Sequence, residues 1–245
     1  MKKIKVAVVA PVAGEYRYPN SDLLHPMLRK VTSKALYGGV TDGASICPIT
    51  KIARQNTFEY ISPLDFRFII LDDGTISFHK KDTGIDQDWH VRDSEAVNHS
   101  VIYENGTVQM IAGDIMFATD TPGTKVMFWP HPNSPMPNMM LGMMDIYNWL
   151  RAWHYTFFTT PNSNKEYVIK KGDPLAMVTF ITPDMESVEL VVTEPTPELE
   201  RLARRESTKL YKIKDWFKTF TLAGKLRPTK VIPEDAKSYF STFKE

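Results

Sequence analysis

Apolar and polar side chains alternate through Thr57–Ile61 and again through residues 65–71, where Phe66, Phe68 and Ile70 interleave with Arg67, Ile69 and Leu71. A period of two is what a strand with at least one buried face requires. Asp72-Asp73-Gly74 follows, a sequence that tolerates positive φ, and residues 75–79 resume the alternation, which predicts a hairpin. A second hairpin is predicted from residues 97–103 to residues 107–111, with Asn105-Gly106 as its type I′ turn. Thr121-Pro122-Gly123 turns the chain into a strand over residues 125–129, and Lys171-Gly172-Asp173 into another over residues 175–181. The short apolar run at residues 6–12, broken by Pro11 and lacking a cleavage region, reads as a first buried strand rather than a secretion signal. Short strands between frequent turns predict a mainly β fold, an antiparallel β-sandwich or jelly-roll-like double sheet.

Further along, the period lengthens. Thr196-Pro197-Glu198 supplies a cap, a proline at the first helical position and an acidic first turn. Leu199, Leu202, Leu210, Ile213, Phe217 and Phe220 then recur at helical spacing, which predicts a C-terminal α-helix over about residues 197–220, ending near Gly224. Its stripe packs on the sheet or docks a partner. A shorter helix is predicted within residues 25–36. The organisation expected is one β-rich domain over residues 1–224 and a surface-hugging tail over 225–245 with one short helical turn.

Composition narrows the classes of function. The 245 residues are 42% hydrophobic and 24% charged with a net charge of +1, so no overall field favours nucleic acid or an acidic membrane. The one cysteine, Cys47, excludes an internal disulfide or a multi-cysteine metal site and reads as a buried thiol. No apolar run approaches the roughly 18 residues of a membrane helix. A cytoplasmic protein is expected.

Catalytic signatures are absent from the sequence: there is no G-x-S-x-G and no P-loop. None of the six histidines (His25, His79, His90, His99, His131, His154) has an acid two residues later, and no pair stands at a metalloprotease spacing. His79 with Asp82 and His90 with Asp93 lie in turn-like sequence. No metal and no cofactor is expected, and no catalytic residue is assigned. The sequons at Asn98 and Asn105 carry no weight without a secretion signal. Arg201, Arg204 and Arg205 read as a solvated helix face.

Two neighbouring segments hold the candidate site. From Pro130 to Pro137 four prolines stiffen the chain into an extended loop that cannot be an inner strand. That loop presents Trp129, His131 and Asn133 to a ligand, or it is a sheet crossing whose tryptophan fills core. Residues 138–155 gather four methionines, among them Met140, ahead of Asp145, Trp149, Trp153 and His154. Methionine adapts to irregular surfaces, so this cluster serves a partner interface or fills gaps in a core.

The order of short motifs brings a resemblance. Cys47-Pro48-Ile49, Phe58-Glu59-Tyr60, Pro63-Leu64-Asp65-Phe66, Asp73-Gly74, Phe117-Ala118-Thr119, Pro132-Asn133, Asn148-Trp149 and Lys171-Gly172-Asp173-Pro174 follow one another as in a family of uncharacterised bacterial and tailed-phage proteins. Asn148 stands where that pattern usually has an acid. The resemblance implies one β-rich domain, a phage origin and the cytoplasm of an infected cell, and no catalytic residues. Residues 172–178 also resemble a late strand of dUTPase and dCTP-deaminase folds, without their serine and aspartate motifs.

The function expected is a protein-binding or assembly module, with a protein partner or self-association as a homo-oligomer, acting through Trp129, His131, Asn133, Met140, Asp145, Trp149, Trp153 and His154. The alternatives are a small-molecule or nucleotide-processing enzyme using His131, Asn133, Asp145 and His154, and a virion structural component.

Overall fold

The computed structural model describes residues 3–9, 28–31, 54–62, 65–72, 76–78, 101–103, 106–137, 139–148, 150, 152–159, 165–193 and 230–242. Cys47, Trp149 and the helix expected at residues 197–220 lie outside them. The described chain is mainly β. In order, the strands are β1 (Lys3–Val9), β2 (Leu28–Lys30), β3 (Thr57–Ile61), β4 (Phe66–Ile70), β5 (Ile76–Phe78), β6 (Val101–Tyr103) and β7 (Gly106–Thr119). They continue with β8 (Lys125–Pro130), β9 (Gly142–Asp145), β10 (Ala152–Thr159), β11 (Glu166–Ile169), β12 (Pro174–Ile181), β13 (Ser187–Val192) and β14 (Lys237–Ser238), and a short C-terminal helix α1 spans Tyr239–Thr242. No described helix is long and apolar enough to cross a membrane.

These strands form three sheets. The first runs β10-β7-β1-β13-β14, with β6 also on β7; the second runs β2-β3-β12-β8-β9; the third is β11-β4-β5. Inward residues of all three meet in one core: Val6, Val8, Phe117 and Phe157 from the first sheet, Phe58, Phe128, Val178 and Phe180 from the second, Phe68 and Ile169 from the third. Phe117 packs edge-on against Phe180 with ring centroids 5.1 Å apart, and Phe68 lies 6.0 Å from Phe157, so aromatic contacts join the layers as in a sandwich. The outer face of the first sheet is covered too. Ala7, Val9, Met116, Ala118 and Val191 pack there with Leu150, Val231 and Ile232, which is why β1 alternates at Lys3–Lys5 and is then buried on both faces.

Chain corners carry strands from one sheet to another. Between β7 and β8, Gly123 takes φ +77°, and between β11 and β12, Gly172 takes φ +88°, a region that favours glycine. The second corner is tied to the one between β3 and β4. Gly172 N donates to Ser62 O, Ser62 N to Asp173 O, and Lys171 N to Asp65 Oδ1.

Three expectations change. Leu28–Lys30, expected within a helix, is a strand antiparallel to β3; Leu28 and Val31 mimic helical spacing, but Leu28 is anchored by its N–H donating to the Tyr239 hydroxyl at 3.0 Å. In the second hairpin Tyr103 pairs with Gly106, so Gly106 is a strand residue and not part of the turn as expected. One pairing is parallel: β1 runs alongside β13, from Lys3 opposite Ser187 to Val8 opposite Val192. The expected tail carries its short helix, and it also supplies β14 and the buried Val231, Ile232 and Tyr239.

Candidate functional site

The outer face of the second sheet carries an unusual row. Registers place Arg29 of β2 opposite Glu59 of β3, Glu59 opposite Met177 of β12, and Met177 opposite Trp129 of β8. Glu59 is 2% exposed, in a strand whose five residues are all buried. An isolated carboxylate in that position would be costly. Arg29 Nε donates to Glu59 Oε2 at 2.6 Å, while the Arg29 side chain remains 44% exposed, so its guanidinium links the buried charge to solvent. On the other side His131 Nε2 lies 3.6 Å from Glu59 Oε1, both side chains being buried. That distance is beyond a hydrogen bond, and Nε2 has no other partner among the described residues.

Burial pushes the Glu59 carboxyl up, and the opposing pull of His131 and Arg29 outweighs it, holding the group below its ordinary 4.5. Beside it runs a hydroxyl relay: Trp129 Nε1 donates to Thr179 Oγ1 at 2.9 Å, and Thr179 and Thr57 hydroxyls are 2.9 Å apart.

His131 opens the proline-rich loop and fixes its first turn. Asn133 N donates to His131 Nδ1 at 3.1 Å and Ser134 N to His131 O at 3.0 Å. The loop then crosses to the first sheet. Tyr155 donates its hydroxyl to Pro137 O at 2.9 Å, Met139 forms a bridge with Phe157, and Met140 N donates to Thr156 O at 2.7 Å. From there the chain returns to β9, the edge of the second sheet.

The methionine cluster divides accordingly. Met139 is buried in the core, as is Met136 of the preceding loop, and Met144 packs against it. Met140, Leu141 and Met143 are 46%, 68% and 61% exposed, the first two just before the edge strand β9 and the third within it. Asp145 closes β9: its Oδ1 accepts from Tyr147 N and Asn148 N, and its Oδ2 from Asn148 Nδ2.

Of the residues expected from sequence, His131 and Asn133 meet directly, and Trp129 lies on the same face. Met140 belongs to the exposed edge, and Asp145 is engaged in a turn. Trp153 and His154 contribute backbone to β10, His154 opposite Ala112 after a register shift. Glu59 and Arg29 were not anticipated as site residues; a lone acid inside the otherwise apolar strand TFEYI was the signal for the first. Among the described residues no three of His, Cys, Asp and Glu gather closely enough to hold a metal ion. The arrangement can hold a buried charge and place one histidine proton. Compared with protein families, curated proteins and solved structures, the chain matches none.

Proposed function

We propose that the chain is an assembly module that joins a second copy of itself through the edge strand β9. The observation that carries this reading is the exposed Met143 on a strand paired, among the described residues, on one side only, with exposed Met140 and Leu141 in the segment that leads into it. Proteins usually blunt such an edge with charge. Here residues 139–144 contain no charged side chain. An antiparallel pairing centred on Met143 sets Met143 against its own counterpart and Gly142 against Met144, with no like charges opposed within that run.

Covering the three side chains on both copies would remove on the order of 600 Å² of apolar surface, worth at most about 15 kcal/mol. Association itself costs about 4–15 kcal/mol. The balance is narrow, and a reversible complex is expected.

The enzyme alternative draws less support, since both oxygens of Asp145 are taken up by its turn and His131 faces a carboxylate already paired with Arg29. A virion component would use the same edge toward another protein. Sedimentation over a concentration series tests the proposal. The wild type should shift from monomer to dimer, and Met143→Lys should remain monomeric with an unchanged circular dichroism spectrum. A wild type that stays monomeric up to about 100 μM, well above the Kd of a specific complex, overturns it.

A further inference from the structure

His131 stands at the start of the loop that ends on the contact edge, and its two ring nitrogens face different groups. Nδ1 accepts the Asn133 amide hydrogen at 3.1 Å, so the ring's proton sits on Nε2, toward Glu59 Oε1. A second proton has only Nδ1 to occupy, where it would meet the Asn133 N–H head-on. Donor cannot face donor. Among the described residues the charged groups around the ring are Glu59 from β3 and, through it, Arg29 from β2; β12 contributes the uncharged Met177.

Accepting the proton therefore means expelling the amide. Pro132, Pro135 and Pro137 stiffen the chain beyond this point, so a displaced Asn133 loads the contacts that seat the loop on the first sheet: Tyr155 on Pro137 O, Met139 opposite Phe157, and Met140 N on Thr156 O. The last of these carries Met140.

We propose that His131 is an acid-sensitive latch for the β9 contact edge: a second proton on its ring ejects the Asn133 amide and shifts the 131–140 loop, with Met140, Leu141 and Met143 behind it. This rests on reading β9 as the assembly surface, because it states how that surface is controlled. Glu59, held below 4.5, stays ionised above that pH and does not confuse the transition.

The test follows histidine ring nitrogens and methionine methyl groups by NMR in the full chain, from about pH 8 to about pH 5, the range in which histidine charge changes. Met140 and Met143 signals should move with the same midpoint as the His131 ring, while Met185, 69% exposed on another loop, should stay still. In His131→Gln the Met140 and Met143 shifts should vanish. The latch is overturned if the ring never takes a second proton, if it does so while Met140 and Met143 stay fixed, or if their shifts persist in His131→Gln. Should that variant fail to fold, the comparison of midpoints in the wild type still decides. Sedimentation at both pH values separates the two claims: methyl shifts without any dimer leave the latch standing and remove the assembly reading.

Discussion

Glu59 keeps its charge in the interior because Arg29 and His131 converge on its two oxygens. Its native pKa lies below 4.5, so the folded chain binds this proton less tightly than the unfolded one. The resulting stability is fully present above the unfolded value and is lost as pH falls through the lower native value. Glu59→Gln should cost about 1–3 kcal/mol near neutral pH, and its gap from wild type should narrow below pH 4.5; urea unfolding at each pH measures both. A gap that is the same at every pH would show that the carboxylate is not its source. Tyr155 offers a contrast. Burial pushes its phenol well above the ordinary value, so it keeps its proton and its bond to Pro137 O. Tyr155→Phe should cost about 1–2 kcal/mol, with little change between acid and neutral solution in the same assay. At this scale the sequence was half legible. Proline density marked His131 and Asn133, but the partners of His131 come from strands far away along the chain, and no local spacing announces a contact between residues 29, 59 and 131.

Strands were easier to anticipate than what ends them or where they pair. Period-two alternation located β3 and β4, the turn at Lys171-Gly172-Asp173 pointed to β12, and Gly123 and Gly172 were anticipated as turn residues. What alternation could not show is that both glycines carry the chain between sheets. Their backbone demands differ in a testable way. An added Cβ at Gly172 meets nothing within 4 Å, whereas at Gly123 it would lie 3.3 Å from Pro183 Cγ. Gly172→Ala should therefore cost about 1–2 kcal/mol from the positive φ alone, and Gly123→Ala should cost more, both read from urea midpoints. Equal losses would mean that Pro183 yields freely. The three-residue β2 was misread as helix because so short a strand has no period of its own. Its place comes from tertiary contacts: the Arg29–Glu59 pair, the Tyr239 hydroxyl, and Lys30 held 4.9 Å above the Phe240 ring, which itself stacks on Phe58.

The molecule as a whole is closed by segments far apart along the chain. Asp120 accepts the Val231 and Ile232 amides at 2.7 and 3.1 Å, β14 extends the first sheet, and Tyr239 reaches the core. Removing residues 230–242 would uncover Ala7, Val9, Met116 and Val191 on the outer face of that sheet. The truncated chain should bind a hydrophobic dye such as ANS under native conditions, and dye binding no greater than that of the full chain would show that this covering is dispensable.

The parallel contact between β1 and β13 has its own implication for how the polypeptide is made. Lys3 waits for Ser187, and at about 5–20 residues per second the ribosome needs roughly 10–40 s to supply it. Throughout that interval a valine-rich ribbon that will become an inner strand of the first sheet has one flank open. Newly made chains should thus depend on holdase chaperones until β13 has emerged, and pulse-labelled amide exchange should find the amides of β1 that face β13 among the last to gain protection.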